Sequence, residues 1–210
     1  MFPPDPTPLF AKAPVVPVLT IERAEDAVSL ARALVAGGLS VIEVTLRTSA
    51  ALDAVRAIIA QVPEAVVGVG TVTNVTDIGA ALSVGAKFLV TPGTPPVLAA
   101  ALAMTPIPAI PACASVSEAM ALSDFGFPVL KFFPAGVSGG VDLLKAIAAP
   151  LPRLKFFPSG GIDAATAPSY LALPNVIAVG GSWVAPKQAV AAGDFGKITA
   201  LARAAASLRR

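Results

Sequence analysis

Short runs of β-branched and apolar residues recur along the chain roughly every 20–25 residues, and each is followed by an Ala- and Leu-rich stretch with helical spacing. The runs begin near Val15 (VVPVLT), Val41 (VIEVTL), Val66 (VVGVGTV), Phe88 (FLVTP), Ile107 (IPAIPA), Val129 (VLKFFP), Leu154 (LKFFPS) and Val176 (VIAVGG). Eight such units in succession predict an α/β fold, a single-domain (β/α)8 TIM barrel, in preference to an open sheet. Residues 1–14, rich in proline, read as an extended N-terminal arm, and residues 15–210 as the barrel. The segment from Ile198 to Leu208 has helical spacing and predicts the closing outer helix.

Composition narrows what such a fold can do. Hydrophobic residues make up 55% of the chain and charged residues 13%, more apolar surface than a small domain usually hides. Either the core is large or subunits associate. The fifteen basic residues are scattered, apart from Arg209 and Arg210, so no patch tracks a nucleic-acid backbone. A single cysteine, Cys113, excludes an intrachain disulfide, and the absence of histidine excludes ordinary His or Cys metal clusters. The expectation is a cytoplasmic protein that needs no metal. The long uncharged stretches Phe88–Ser117 and Ala164–Pro186 hold six and three prolines, which interrupt any membrane helix. The arm lacks the basic start and unbroken apolar run of a signal peptide.

In a barrel of this kind the chemistry lies at the C-terminal ends of the strands. Along the second predicted strand Ile42, Val44 and Leu46 alternate with Glu43, Thr45 and Arg47, which puts an apolar face toward the helices and a polar face inward. Glu43 is the single member of the thirteen acidic residues inside a predicted strand. It reads as a functional carboxylate, against the simpler alternative of an interior Glu43–Arg47 ion pair.

The sixth predicted strand turns Lys131 inward together with Val129 and Phe133. Burial disfavours an ammonium and favours the free amine, the form that attacks a carbonyl. The same pattern returns 24 residues later, where Lys155 has the same parity in Leu154-Lys155-Phe156-Phe157-Pro158. Lys155 lies nearer its strand start, which suggests the barrel floor or solvent, but residue chemistry alone does not choose between the two lysines. Ser159-Gly160-Gly161 and Gly180-Gly181-Ser182 follow the last two predicted strands, where backbone amides of small loops can cradle a phosphate. Thr71 and Pro92 stand at strand ends and could line the mouth of the same pocket.

Taken in order, EVTLRT (43–48), VGVGTV (67–72), TPG (91–93), LKFFPA (130–135), PSGGI (158–162) and VGGSW (179–183) resemble the class I 2-keto-3-deoxy-6-phosphogluconate (KDPG) aldolases. The resemblance covers nearly the whole chain after Pro14. It implies a small, typically trimeric barrel in carbohydrate breakdown by the Entner–Doudoroff route, with no cofactor and with a keto-acid phosphate as substrate. It makes Lys131 the Schiff-base former and Glu43 the general acid/base, and it leaves Lys155 where the family needs no lysine. It also puts Arg47 and Thr71 at the keto-acid carboxylate, Pro92 and Phe133 beside the substrate, and Ser159, Gly160, Gly161, Gly181 and Ser182 around the phosphate. Ser159 stands where many relatives carry threonine, and Ala112 follows Pro111 where relatives often have glycine, which leaves open the substrate preference of that loop. The same retro-aldol chemistry on 4-hydroxy-2-oxoglutarate or on the 6-phosphogalactonate epimer is the nearest alternative. A phosphosugar epimerase and a non-catalytic oligomeric barrel are remoter ones.

Overall fold

The computed structural model describes residues 3–11 and 13–208; the first two residues of the arm and the Arg209-Arg210 pair lie outside the described residues. After a short helix α1 (Thr7–Phe10), strands and helices alternate as β1 (Val15–Leu19), α2 (Ala27–Ala36), β2 (Val41–Thr45), α3 (Ala51–Gln61), β3 (Val66–Gly70) and α4 (Val75–Ser83). The alternation continues with β4 (Leu89–Val90), α5 (Pro96–Ala103), β5 (Ala109–Ile110), β6 (Ala112–Cys113), α6 (Val116–Asp124), β7 (Val129–Phe132) and α7 (Gly140–Ala148). It ends with β8 (Lys155–Pro158), α8 (Ala167–Leu171), β9 (Val179–Gly181), α9 (Lys187–Ala191) and α10 (Phe195–Ala206).

Every ladder is parallel, in one six-stranded sheet of order β5-β4-β3-β2-β1-β9 and one three-stranded sheet of order β6-β7-β8. The fifth predicted strand therefore appears as two segments. Pro111 lies between them, and a residue without an N–H cannot donate to the ladder. At the other seam, isolated parallel bridges join Phe156 to Val176 and Ser159 to Gly180. The last strand is shorter than expected, covering Val179–Gly181, so Gly180 and Gly181 belong to the strand rather than to the loop after it.

Alternation sorts the apolar residues into two layers. Ile42, Val44, Val67, Val69, Leu130 and Phe132 pack with the helices, while Val16, Val41, Val90, Ile110, Val129 and Phe157 gather on the concave side. The arm completes this inner layer instead of running extended. Pro8 stands in the first turn of α1, where a missing N–H costs nothing, and Phe10 is fully buried, 5.4 Å from the Phe157 ring and 5.8 Å from the Phe88 ring. These three aromatic rings floor the concave face. Lys131 and Glu43 stand above that floor. Among the described residues no helix is long and apolar enough to cross a membrane.

Candidate active site

β2 and β7 carry the two central side chains to one point. Glu43 is 0% and Lys131 3% exposed, and Lys131 Nζ donates to Glu43 Oε1 at 3.4 Å. The pair is 88 residues apart in sequence. The cost of desolvating two charges makes such a pair a poor source of stability and a good place to hold reactive groups. Glu43 Oε2 has no hydrogen-bond partner among the described residues. One carboxylate oxygen thus holds the amine and the other is unengaged. The Phe133 ring lies 5.0 Å from the amine and closes one side.

The sequence around the pair provides its space. Gly68 and Gly70 of β3 follow β2 in register, paired with Glu43 and Thr45. A Cβ on Gly68 would collide with the Phe88 ring, and one on Gly70 would collide with the Glu43 carboxylate. VGVG is thus the pattern of a strand whose inward positions are already filled by neighbours.

Above the pair, Arg47 Nε donates to Thr71 Oγ1 at 3.3 Å. The interior Glu43–Arg47 ion pair does not form: Glu43 turns to Lys131, and Arg47, two residues beyond the strand's buried stretch, is exposed. Thr71 has φ +61°, among described residues the sole non-glycine in the left-handed region. A β-branched residue there costs about 1–3 kcal/mol, a strain typical of functional sites.

Pro92 lies between two threonines whose hydroxyls clamp the neighbouring strand. Thr91 Oγ1 and Thr94 Oγ1 lie 2.8 Å apart, both accept from the N–H of Ala112 at 2.8 Å, and Thr94 Oγ1 donates to the Ala112 carbonyl at 3.0 Å. The threonines thereby replace the strand partner that Pro111 interrupts. Ala112 is the register partner of Lys131, and Lys131 N donates to Pro111 O at 2.9 Å, so the clamp fixes the backbone beside the amine. Reading the sequence for strand ends finds Pro92 but not Thr94. Its signal was a threonine on each side of Pro-Gly, facing a strand that contains proline.

The glycine loops also meet. Ser159 is 5% exposed and bridges Gly180, while Gly160 has φ +90° and Gly161 φ +76°, conformations that suit glycine. Gly160 lies so close to Phe133 that a Cβ would sit 3.0 Å from the ring. Gly181 backs onto Trp183, whose ring a Cβ would overlap. Ser182 is exposed in a cavity of about 740 Å³ that also has Val18, Thr20, Arg47 and Lys187 in its wall. Lys131 and Glu43 are not in that wall. The cavity lies beside them, since Val18 is the register partner of Glu43. Thr20 is a second residue the sequence reading passed over, although it ends the VVPVLT run on the same parity as Val16 and Val18.

Lys155 is placed differently. It opens β8, is half-buried, and donates from Nζ to the Pro174 carbonyl at 3.1 Å. Among the described residues no three His, Cys, Asp or Glu side chains gather as a metal site. Cys113 is buried beside Lys131, its Sγ 3.6 Å from the Lys131 carbonyl, and desolvation first, then Glu118, pushes its thiol up to about 12.

The chain is similar over most of its length to proteins of known family and structure. A sequence model of the KDPG and KHG aldolases matches residues 8–201. The KHG/KDPG aldolase of Escherichia coli K12 is 50% identical over 198 residues, covering 94% of this chain and 92% of that protein. A KDPG aldolase of Legionella pneumophila, solved with pyruvate as a covalent carbinolamine, superposes with a TM-score of 0.94 at 42% identity, covering 96% of this chain and 98% of the other. The KDPG aldolase of Zymomonas mobilis with 3-phosphoglycerate superposes with a TM-score of 0.91 at 43% identity, over 97% of this chain and 95% of the other.

Proposed function

The chain belongs to the KDPG and KHG aldolase family, and from that premise we propose that it is a carbon–carbon lyase that splits KDPG into pyruvate and glyceraldehyde 3-phosphate through a Schiff base on Lys131. The observation that carries this reading is the buried Lys131–Glu43 pair, with one carboxylate oxygen at the amine and the other unengaged. The carbinolamine of the Legionella protein is a chemical precedent in a close structural relative.

In this mechanism the Lys131 amine adds to C2 of the keto acid, giving a carbinolamine. Glu43 moves the protons that turn the carbinolamine oxygen into a leaving water, and an iminium remains. Removal of the C4 hydroxyl proton then breaks the C3–C4 bond. Its electron pair flows into the iminium, so the aldehyde departs and an enamine of pyruvate is left. Protonation at C3 regenerates the iminium, and hydrolysis returns pyruvate and the free amine. The imine is itself the electron sink, so the chemistry calls for no cofactor. Arg47 and Thr71 hold the keto-acid carboxylate, with Pro92 and Phe133 walling the reacting carbons. Ser159, Gly160, Gly161, Gly181 and Ser182 take the phosphate, each role resting on its match to the family pattern.

The same reading extends to architecture. The eight units close a (β/α)8 barrel, a reading supported by the single proline that separates β5 from β6 and by the isolated bridges Phe156–Val176 and Ser159–Gly180 across the other seam. A homotrimer is supported by the apolar side chains exposed on two successive helices, with Val97 77% and Met104 73% exposed at the two ends of α5 and Met120 53% exposed on α6. A protein with one buried free thiol is suited to the reducing cytoplasm, where we place it. 4-Hydroxy-2-oxoglutarate is a second substrate on this reading, because the Escherichia coli relative carries both names and both molecules present the same pyruvate half.

Borohydride reduction in the presence of pyruvate, followed by peptide mass mapping, tests the mechanism. The expected result is one adduct, on Lys131. An adduct on Lys155, or none, overturns it.

A further inference from the structure

The proton order of two threonine hydroxyls next to the 740 Å³ cavity assigns a role beyond the family pattern. Thr45 Oγ1 lies 2.8 Å from the Leu19 carbonyl, and a carbonyl only accepts, so the Thr45 proton is committed there. Thr20 Oγ1, 3.2 Å from Thr45 Oγ1, must therefore be the donor between them. Its own proton is then spent inside the protein. What Thr20 turns to the cavity is a hydroxyl oxygen with lone pairs, an acceptor.

The two carboxylates in the same wall are already engaged: Asp26 receives Arg23 at 2.7 Å, and Glu22 faces Lys187 at 3.5 Å. Phosphate and ionised carboxylate groups only accept, so they have no use for an acceptor. A substrate hydroxyl does. Position along the strand selects which one. Val18 pairs with Glu43 and Leu19 with Val44, so Thr20 stands one two-residue step beyond the Glu43 level, about 6.6 Å along β1. The phosphate on C6 is assigned above to the loop of Ser182, which shares the cavity wall with Thr20, and C5 is the carbon next to it.

We infer that Thr20 is a specificity-determining residue that accepts a hydrogen bond from the C5 hydroxyl of the six-carbon substrate. The inference rests on the aldolase reading above. 4-Hydroxy-2-oxoglutarate has a carboxylate at C5 and cannot make this bond. Thr20 thus favours the sugar-acid phosphate over the dicarboxylate.

The test measures pyruvate release from both substrates by the wild-type protein, Thr20→Val, which keeps the shape and removes the hydroxyl, and Thr20→Ser, which restores it. In Thr20→Val the ratio of kcat/KM for KDPG over 4-hydroxy-2-oxoglutarate falls about tenfold, the worth of one hydrogen bond, and in Thr20→Ser it recovers. The yield of the borohydride-trapped pyruvate adduct is the same in all three, which separates a lost contact from a damaged fold. An unchanged ratio in Thr20→Val, or an equal fall for both substrates, overturns the assignment to Thr20. A wild-type protein that cleaves neither substrate overturns the aldolase reading and the inference with it.

Discussion

The neighbouring segments at β7 and β8 repeat the same five residues, Leu-Lys-Phe-Phe-Pro at 130–134 and 154–158, yet the two lysines live in different chemistry. The ladder pairs Val129 with Lys155 and Lys131 with Phe157, so the copies run two residues out of step. That step moves a lysine by about 6.6 Å along the strand, one full layer of inward side chains. Lys131 lands among Glu43, Phe133 and the Pro111–Ala112 backbone. Lys155 lands at the opposite edge, where the Pro174 carbonyl receives its proton. A short motif specifies which face a side chain takes, and register specifies what it meets there.

The largest break in this comparison comes from exchanging the lysines for methionine one at a time. Lys131→Met lowers kcat roughly 10⁴-fold or more, as loss of a covalent nucleophile does, while Lys155→Met stays within about threefold, measured by coupled pyruvate release. Comparable losses from the two variants would sink the distinction between the copies. Glu43→Gln keeps the shape beside Lys131 and removes the proton carrier. Its kcat drops by about 10²–10⁴, and single-turnover trapping locates the loss in carbinolamine dehydration rather than in binding.

The floor beneath both copies gives the converse result. Phe10→Ala deletes a fully buried ring stacked on Phe157 and costs about 3–5 kcal/mol in denaturant titrations, with kcat per folded molecule retained. Thr94→Val removes the clamp on the strand next to Lys131. It costs about 1–3 kcal/mol through the Ala112 carbonyl left without its donor, while Thr91 keeps the Ala112 N–H, and it slows formation of the pyruvate adduct, whereas Thr94→Ser restores both.

The smallest effect concerns Cys113, on the other flank of Lys131. The folded chain holds its thiol proton up to about 12, whereas the unfolded chain releases it near the ordinary 9.0. Between those values the native state binds more protons than the unfolded one, so this group's contribution makes stability fall as pH rises through that window. Cys113→Ala lacks that component, and its stability declines less steeply from pH 9 upward in denaturant titrations. An identical slope would show that the wall beside Lys131 is wetter than its burial indicates.

Alternation along VIEVTLR was enough to bring Glu43 inward, because side chains in any strand change face at each residue. The LKFFP pattern likewise brought Lys131 inward, and the family pattern selected it over Lys155. Less legible were the interruptions. The IPAIPA run is divided at Pro111 for want of an N–H, and the repair by Thr91 and Thr94 comes from a loop distant in sequence. Phe10 gave no periodic signal because its partners, Phe88 and Phe157, lie on other strands.

The sequence by itself determined the order of the βα units and the inward parity of Glu43 and Lys131, since both follow from local geometry with a period of two or 3.6 residues. Only the tertiary structure decided that Lys131 meets Glu43 across 88 residues, that Lys155 falls one layer short, and that Thr20 meets Thr45 at the cavity wall. These are matters of register and of hydrogen-bond partners. Both are set by which strands become neighbours, and no local stretch of chain encodes that alone.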